Sequence, residues 1–429
     1  MREVIILIER GDHHEALVRL WVLGTTRRHP DDDLPLNAWE RSTQRDRASR
    51  RASEIRVDEI RATFNDGRSV DQATAEADPL ALVVALDAFL GLDTAPRAFA
   101  AEPYRVGEQD YWLVPLNPSR AGSASSARQT GNPQSWFRHH RVLPATLPTG
   151  LRVEPQPSRD VTDTRLREIK HAGRMRTFLG HFDDGATLVP PPADRFFATG
   201  LSDENARAAS VGRALVRSVE EEADVIVLPE LTVTPAQREV VKDQLRQTQR
   251  TGRGPALVVP GSFHEERDGR KVNVAELLGS DGRRLLVHEK LRPFGGANEL
   301  AGDIHAASIL RLLVTPIGSI ALAICKDYCD DVGPIRDWDA LAVDWWLVPS
   351  MGERSTIDAH ARRAEMLWQV VNRGVTLLAN QESGVVGGTE SVPGFVFDGA
   401  RRDIEAGGSF VDVGLASETA SIQRLRRIR

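Results

Sequence analysis

The sequence predicts a layered α/β fold over its C-terminal two thirds. From about residue 170 onward, short apolar runs of strand length alternate with longer segments whose apolar residues recur every three or four positions. Turn dipeptides and helix-capping residues punctuate them, and several runs are apolar throughout, as strands covered on both faces are.

The elements follow in order. TFLGHF (177–182) reads as a first strand. SDENARAASVGRALVRSVEEEA (202–223) reads as a helix, with Ser202 or Asp203 as N-cap and Ala208, Val211, Leu215 and Val219 on one face. DVIVLPE (224–230) is a buried strand. TPAQREVVKDQLRQTQR (234–250) is a helix with Pro235 in its first turn. ALVVPGSF (256–263) is a strand, and 272–290 is a strand pair around Ser280-Asp281-Gly282. A second pair spans 308–325 around Pro316-Ile317-Gly318. Residues 338–350 read as a short helix and a strand, 358–374 as a helix closed by Gly374, and 375–381 as a strand.

The first 165 residues are harder to place. An apolar run from Val4 to Ile8 precedes a helix near Glu15–Leu23. Residues 26–77 are rich in Arg, Asp and Glu and read as a solvated face. DPLALVVALDAFLGL (78–92) has the spacing of a core helix, and 104–116 that of a hairpin around Gly107. The small, polar segment 119–135 reads as a linker, and Pro144, Pro148, Pro155 and Pro157 predict continued irregular chain.

Composition narrows the function. The chain has 429 residues, 55 Lys+Arg and 61 Asp+Glu, for a net charge of −6, which argues against a polycation that coats nucleic acid. Its two cysteines, Cys325 and Cys329, exclude a disulfide framework. No apolar stretch is long enough to span a bilayer, and the N-terminus lacks a signal-peptide cleavage site, so a cytoplasmic location is expected. No HExxH, CxxC or phosphate-loop spacing is present, and no metal or cofactor is expected.

Three reactive residue types stand directly after apolar strands: Glu230, Lys290 and Cys325. Strand ends in layered α/β folds are where rigid backbone meets a cleft. A thiol needs a base to become nucleophilic at neutral pH. A carboxylate can take its proton, and an ammonium can hold the charge that develops during attack on an amide or nitrile carbon. Glu, Lys and Cys together therefore suffice for acyl transfer.

These residues also carry a family resemblance. IVLPELTV (226–233), VHEKLRPF (287–294) and IGSIALAICKDYCDD (317–331) resemble, in this order, the glutamate, lysine and nucleophile motifs of the carbon–nitrogen hydrolase (nitrilase) superfamily. NELAGD (298–303), LVPSMGE (347–353), NRGVTLLANQESG (372–384) and the Asn-bearing strand at 272–283 resemble further segments, so the likeness covers about 176–415. It implies a four-layer αββα sandwich over 166–429, preceded by an unassigned mixed region, 1–165. It implies Cys325 as nucleophile, Glu230 as general base and then acid, and Lys290 with the backbone N–H of Lys326 as the oxyanion support. Glu299, Lys326 and Asp327 are the implied substrate-side or orienting residues. The expected substrate is a small amide or nitrile and the expected state a homo-oligomer, with 1–165 available to a protein partner. The sequence departs from the family after Cys325, where Tyr328, Cys329, Asp330 and Asp331 stand, and in the helix before Asn372. The alternative reading is therefore a catalytically silent module of this fold, or one supplying ammonia or acyl groups to a partner protein, as in a defence system.

Overall fold

The computed structural model describes residues 2–26, 79–91, 102–116, 139–158, 160–182, 187–189, 195–250, 252, 254–293, 301–329, 341–371, 374–381 and 392–415. The charged segment 43–56, the polar segment 119–135 and the basic 424–429 lie outside them. The described chain divides into two compact units, the second beginning at Pro148.

The first unit holds α1 (Arg2–Arg10), α2 (His13–Thr26), α3 (Pro79–Gly91) and an antiparallel sheet of β1 (Tyr104–Val106), β2 (Gln109–Pro115) and β3 (His140–Pro144) in the order β1-β2-β3. The hairpin turns at Gly107, as its position in the sequence predicts; the backbone there is left-handed, φ 63°. Helices and sheet share one apolar core that includes Val4, Leu17, Leu20, Leu86, Leu113 and Val142. Within it, buried Asp87 accepts from the backbone N–H of His139 and lies 2.9 Å from His140 Nδ1.

The second unit runs β4 (Arg152–Pro157), α4 (Asp160–Ala172), β5 (Arg174–Leu179), β6 (Leu188–Val189), β7 (Arg195–Phe196), β8 (Gly200–Leu201), α5 (Glu204–Glu220), β9 (Val225–Val227), α6 (Pro235–Gln249), β10 (Leu257–Val259), β11 (Ser262–Arg267), β12 (Arg270–Gly279), β13 (Arg284–Glu289), β14 (Ala301–Gly302), β15 (Ile309–Thr315), β16 (Gly318–Leu322), α7 (Lys326–Cys329), β17 (Trp345–Met351), α8 (Arg354–Met366), β18 (Val375–Gln381), β19 (Gly394–Phe397), β20 (Arg401–Asp403) and β21 (Ser409–Gly414). One sheet has the order β11-β12-β10-β9-β5-β21, with β13 also on β12; the other has the order β20-β19-β18-β17-β16-β15-β4.

The two sheets face each other across a continuous core. Leu179, Val227, Val259 and Leu277 come from the first sheet, and Leu322, Trp345, Leu347 and Leu377 from the second. Helices α5 and α6 cover the outer face of the first sheet through Val211, Leu215, Val241 and Leu245 against Ile226, Leu228 and Val258. Helix α8 packs on β18 and β19 of the second. The architecture is the expected four-layer αββα sandwich. Both α5 and α6 start where the sequence marks them. The Asp203 carboxylate accepts from the Ala206 N–H, and Thr234 forms a reciprocal capping box with Gln237, with Pro235 in the first turn.

The structure corrects the reading of the proline-rich stretch and the boundary drawn after residue 165. Arg152–Pro157 is a strand, not irregular chain, and pairs in parallel with β15 from Ile309↔Arg152 to Val314↔Pro157. It ends the sheet order, where Pro155 and Pro157 need supply no N–H to a further strand. The sandwich therefore starts near residue 148, and α4 belongs to it. Among the described residues no helix is long and apolar enough to cross a membrane.

Gly394 marks the tightest backbone approach of the second sheet. Its φ is +134°, and a Cβ there would lie 2.2 Å from the Leu378 carbonyl oxygen. Gly394→Ala should lower stability by about 1–3 kcal/mol, read as a shift in the urea midpoint at unchanged slope.

Candidate active site

Glu230, Lys290 and Cys325 leave three different strands and meet at one edge of the core. Glu230 follows β9 after Leu228 and Pro229, Lys290 directly follows β13, and Cys325 follows β16. Hydrogen bonds tie two of these strand ends to β17, one across the sheets and one within the second sheet. The N–H of Glu230 donates to the Ser350 carbonyl (3.2 Å), and that of Cys325 donates to the Pro349 carbonyl (2.9 Å), both at the end of β17.

The backbone is shaped to deliver them. Cys325 has φ 46°, and Leu231, next to Glu230, has φ 52°. Non-glycine residues pay for such angles and keep them only where their surroundings enforce them. At Glu230 the enforcement includes Gly261, φ +73°, whose missing Cβ would stand 2.2 Å from the Pro229 carbonyl oxygen. The close approach lets the Leu231 N–H reach the Ser262 carbonyl at 2.7 Å.

At the centre, Lys290 Nζ donates to Glu230 Oε1 at 2.7 Å, with both side chains 4% exposed. Asn273 Nδ2 donates to the same oxygen at 2.8 Å, and the Met351 N–H donates to Glu230 Oε2 at 3.2 Å. The carbonyl of Met351 lies 3.9 Å from Cys325 Sγ. One residue thus links the carboxylate through its N–H and the thiol through its carbonyl. Cys325 is itself buried.

The charges tune each other. Burial raises the Cys325 pKa, and the Glu230 charge raises it further against the opposing pull of Lys290. The thiol is therefore protonated at rest. Burial alone would favour a neutral lysine, but Glu230, the cysteine and Asp327 outweigh it and hold the Lys290 pKa above the usual lysine range. His264, opposite Asn273 in the β11–β12 pair, accepts the Ala198 N–H at Nδ1 (2.8 Å), which puts its ring proton on Nε2. Burial first, then Lys290, hold its pKa down at about 3.

The other expected residues divide. Asp327 is fully buried, and its carboxylate is filled by protein donors rather than open to a substrate. Oδ1 accepts from the N–H groups of Leu291 (3.1 Å) and Arg292 (2.8 Å), and Oδ2 accepts from the Ile324 N–H (3.2 Å) and lies 2.9 Å from His288 Nε2. It ties the chain after Lys290 to the chain around Cys325. Lys326 is half-buried and opens α7. Glu299 lies outside the described residues. Cys329 is half-buried.

Sequence reasoning picked out the Asn-bearing strand but gave Asn273 no role, and it missed the contacts of His360 and of the backbone groups of Ser350 and Met351. A polar Asn within the apolar strand VNVAELL is a signal that could have raised Asn273, since a buried amide needs partners. His360 shares a buried helix face with Ile357 and Ala364, and its Nε2 lies 3.1 Å from the Cys325 carbonyl oxygen. Backbone contacts leave no trace in side-chain identity. Among the described residues no cluster of His, Cys, Asp or Glu is arranged to hold a metal ion.

No family model matches the chain, and no curated protein matches it. Solved structures do. An amidase from Nesterenkonia sp. is similar at 19% identity over 59% of this chain and 96% of its own, with a TM-score of 0.41. A mutant of the amidase from Nesterenkonia sp. AN1 in complex with butyramide is similar at 18% identity over 60% and 97%, TM-score 0.41. A glutamine-dependent NAD+ synthetase from Acinetobacter baumannii is similar at 15% identity over 56% of this chain and 45% of its own, TM-score 0.39.

Two outcomes follow from the site's construction. Asp327→Ala strips the acceptor from several buried donors and should cost at least about 3 kcal/mol of stability, measured by urea unfolding; Asp327→Asn should cost less, since it keeps one oxygen. Acid should also weaken the fold. Burial and Lys290 hold His264 neutral, and burial holds the His360 pKa at about 4. Unfolded imidazoles take up protons near pH 6.5 while these two do not, so stability is complete above that pH and falls below it. At pH 5 the two histidines together should remove on the order of 2–4 kcal/mol relative to pH 7.5, and replacing either by an uncharged residue should flatten the profile.

Proposed function

We propose that the protein is a carbon–nitrogen hydrolase of the nitrilase superfamily that cleaves a small amide or nitrile through a cysteine thioester. The observation that carries the reading is the buried Glu230–Lys290 pair brought to the same place as a buried cysteine on a strained turn. A structural cysteine needs neither a positive φ nor a carboxylate–ammonium pair beside it.

The chemistry runs as follows for an amide. Glu230 takes the thiol proton as Sγ attacks the carbonyl carbon, so no free thiolate need accumulate. The carbonyl π electrons move onto oxygen, and the Lys290 ammonium and the Lys326 N–H stabilise that charge. Protonated Glu230 then gives its proton to the amine nitrogen as the C–N bond breaks, leaving a thioester. Water, deprotonated by the same carboxylate, attacks the thioester carbon. The C–S bond breaks, the acid departs and the thiol is restored. A nitrile enters the same cycle through a thioimidate. Asn273, the Met351 N–H and Lys290 hold the carboxylate in place while its proton comes and goes.

The test is turnover of a panel of small amides and nitriles, acetamide and butyramide included, read as ammonia release. Cys325→Ala should abolish it. Glu230→Gln should lower kcat/KM by about a thousandfold or more while moving the titration of the Cys325 thiol to lower pH, read from the pH dependence of alkylation, because the carboxylate that opposes thiolate formation is gone. Full turnover by Cys325→Ala would sink the proposal.

A further inference from the structure

The nucleophile's peptide is held by a histidine that the chemistry above does not use. Cys325 adopts φ 46°, and its carbonyl oxygen accepts the Tyr328 N–H at 2.9 Å and lies 3.1 Å from His360 Nε2. His360 comes from α8, is fully buried, and stacks on Tyr328 at 5.9 Å with the rings 16° from parallel. The Tyr328 hydroxyl is in turn anchored at Thr376 Oγ1, on β18, at 2.5 Å. Cys325 is thus gripped from three elements: β17 through its N–H, α7 and α8 through its carbonyl.

A peptide unit is planar and trans, so its C=O and N–H point to opposite sides. Fixing the Cys325 carbonyl toward α8 fixes the following N–H, that of Lys326, in the opposite direction. We propose that His360 is a positioning residue whose Nε2–H clamps the Cys325 carbonyl and thereby aims the Lys326 N–H at the oxygen that becomes anionic when Cys325 attacks. The inference rests on the hydrolase reading and adds to it the device that orients one of the two oxyanion donors.

The ring's protonation sharpens the proposal. Its Nδ1 faces the Thr356 carbonyl one turn back on α8, so two acceptors flank the imidazole. Burial keeps the ring neutral, its pKa held down at about 4, and a neutral imidazole carries one proton. Nδ1 lies 2.5 Å from the Thr356 oxygen and Nε2 3.1 Å from the Cys325 oxygen, so the clamp requires the single proton at the longer contact, and a ring proton found on Nδ1 by nitrogen NMR overturns the proposal. A phenylalanine would keep the stack on Tyr328 and lose the donor, whereas a glutamine would lose the stack and keep an N–H of similar reach.

Two reagents separate aiming from mere packing. Iodoacetamide alkylates Sγ at an sp³ carbon and expels iodide, so no oxyanion forms. An aliphatic aldehyde adds the thiol across its C=O: the S–C bond forms, the π electrons go to oxygen, and the thiol proton ends on that oxygen or on Glu230. Aldehyde affinity, measured as protection of Cys325 from iodoacetamide, therefore reports the oxyanion support without needing turnover. H360F should bind butyraldehyde about 10- to 100-fold more weakly than wild type, with its unprotected alkylation rate within about threefold and any turnover lost in kcat rather than KM. H360Q should stay within about threefold of wild type in all three. If H360F does not fold, H360L supplies the donorless variant, and a loss in H360Q equal to that in the donorless protein overturns the proposal. So does wild-type aldehyde affinity in H360F, alkylation that slows in step with aldehyde binding, or a wild-type thiol that alkylates but takes up no aldehyde. Failure of the amide and nitrile panel alone would remove the hydrolase reading while the aldehyde comparison still decides the role of His360.

Discussion

The contact between Glu230 and Lys290 is the constraint around which the second unit is organised. Two opposite charges 2.7 Å apart, each 4% exposed, have lost nearly all their water. Such a pair is tolerated only when its remaining lone pairs and protons find partners, and breaking it leaves a bare charge in a poor dielectric at a cost of about 3–5 kcal/mol. Asn273 and the Met351 N–H meet that requirement for the carboxylate. Because the partners come from both sheets, the pair also fixes how the sheets meet at this edge.

Asp327 solves a second problem. Lys290 and Cys325 belong to opposite sheets, and nothing in strand pairing aligns the chain after β13 with the chain after β16. One carboxylate that takes N–H groups from Leu291 and Arg292 on one side and Ile324 on the other makes that alignment. His288 reaches it at 2.9 Å. His288 is two residues before Lys290 on an extended segment, so its contact orients the same stretch that carries the ammonium. The site thus has a functional-looking acid, Glu230, and a buried acid, Asp327, of the same chemistry. What separates them is partner supply. Asp327 is occupied by three backbone N–H groups with His288 beside it, whereas Glu230 is held by an ammonium, a side-chain amide and one backbone N–H beside a thiol.

Much of this was legible in the chain, for identifiable reasons. Period and length located α5, α6, β9 and β18, because those segments are amphipathic or buried on both faces. The Asp281-Gly282 and Ile317-Gly318 turns located two hairpins. Glu230, Lys290 and Cys325 could be singled out because each reactive side chain follows an apolar run. Where the reading went astray, a local rule met a long-range compensation. Prolines 155 and 157 suggested irregular chain, yet β4 lies at the end of the sheet order, where missing donors carry no penalty. For Asp327 the resemblance left a substrate-side and an orienting role open, because its saturation depends on Leu291 and Arg292, distant in sequence.

The sequence by itself determined which segments fold into strands and helices and which side chains are chemically able to act, since periodicity, capping and residue type are properties of neighbours along the chain. Only the tertiary structure decided which of those side chains share an environment. The hydrogen bond from the Met351 N–H and those accepted by the Ser350 and Pro349 carbonyls are made by backbone atoms, and the charge balance around Cys325 comes from groups dozens of positions away. Such contacts leave no local pattern, because they are set by how two sheets stack and not by what stands next to what.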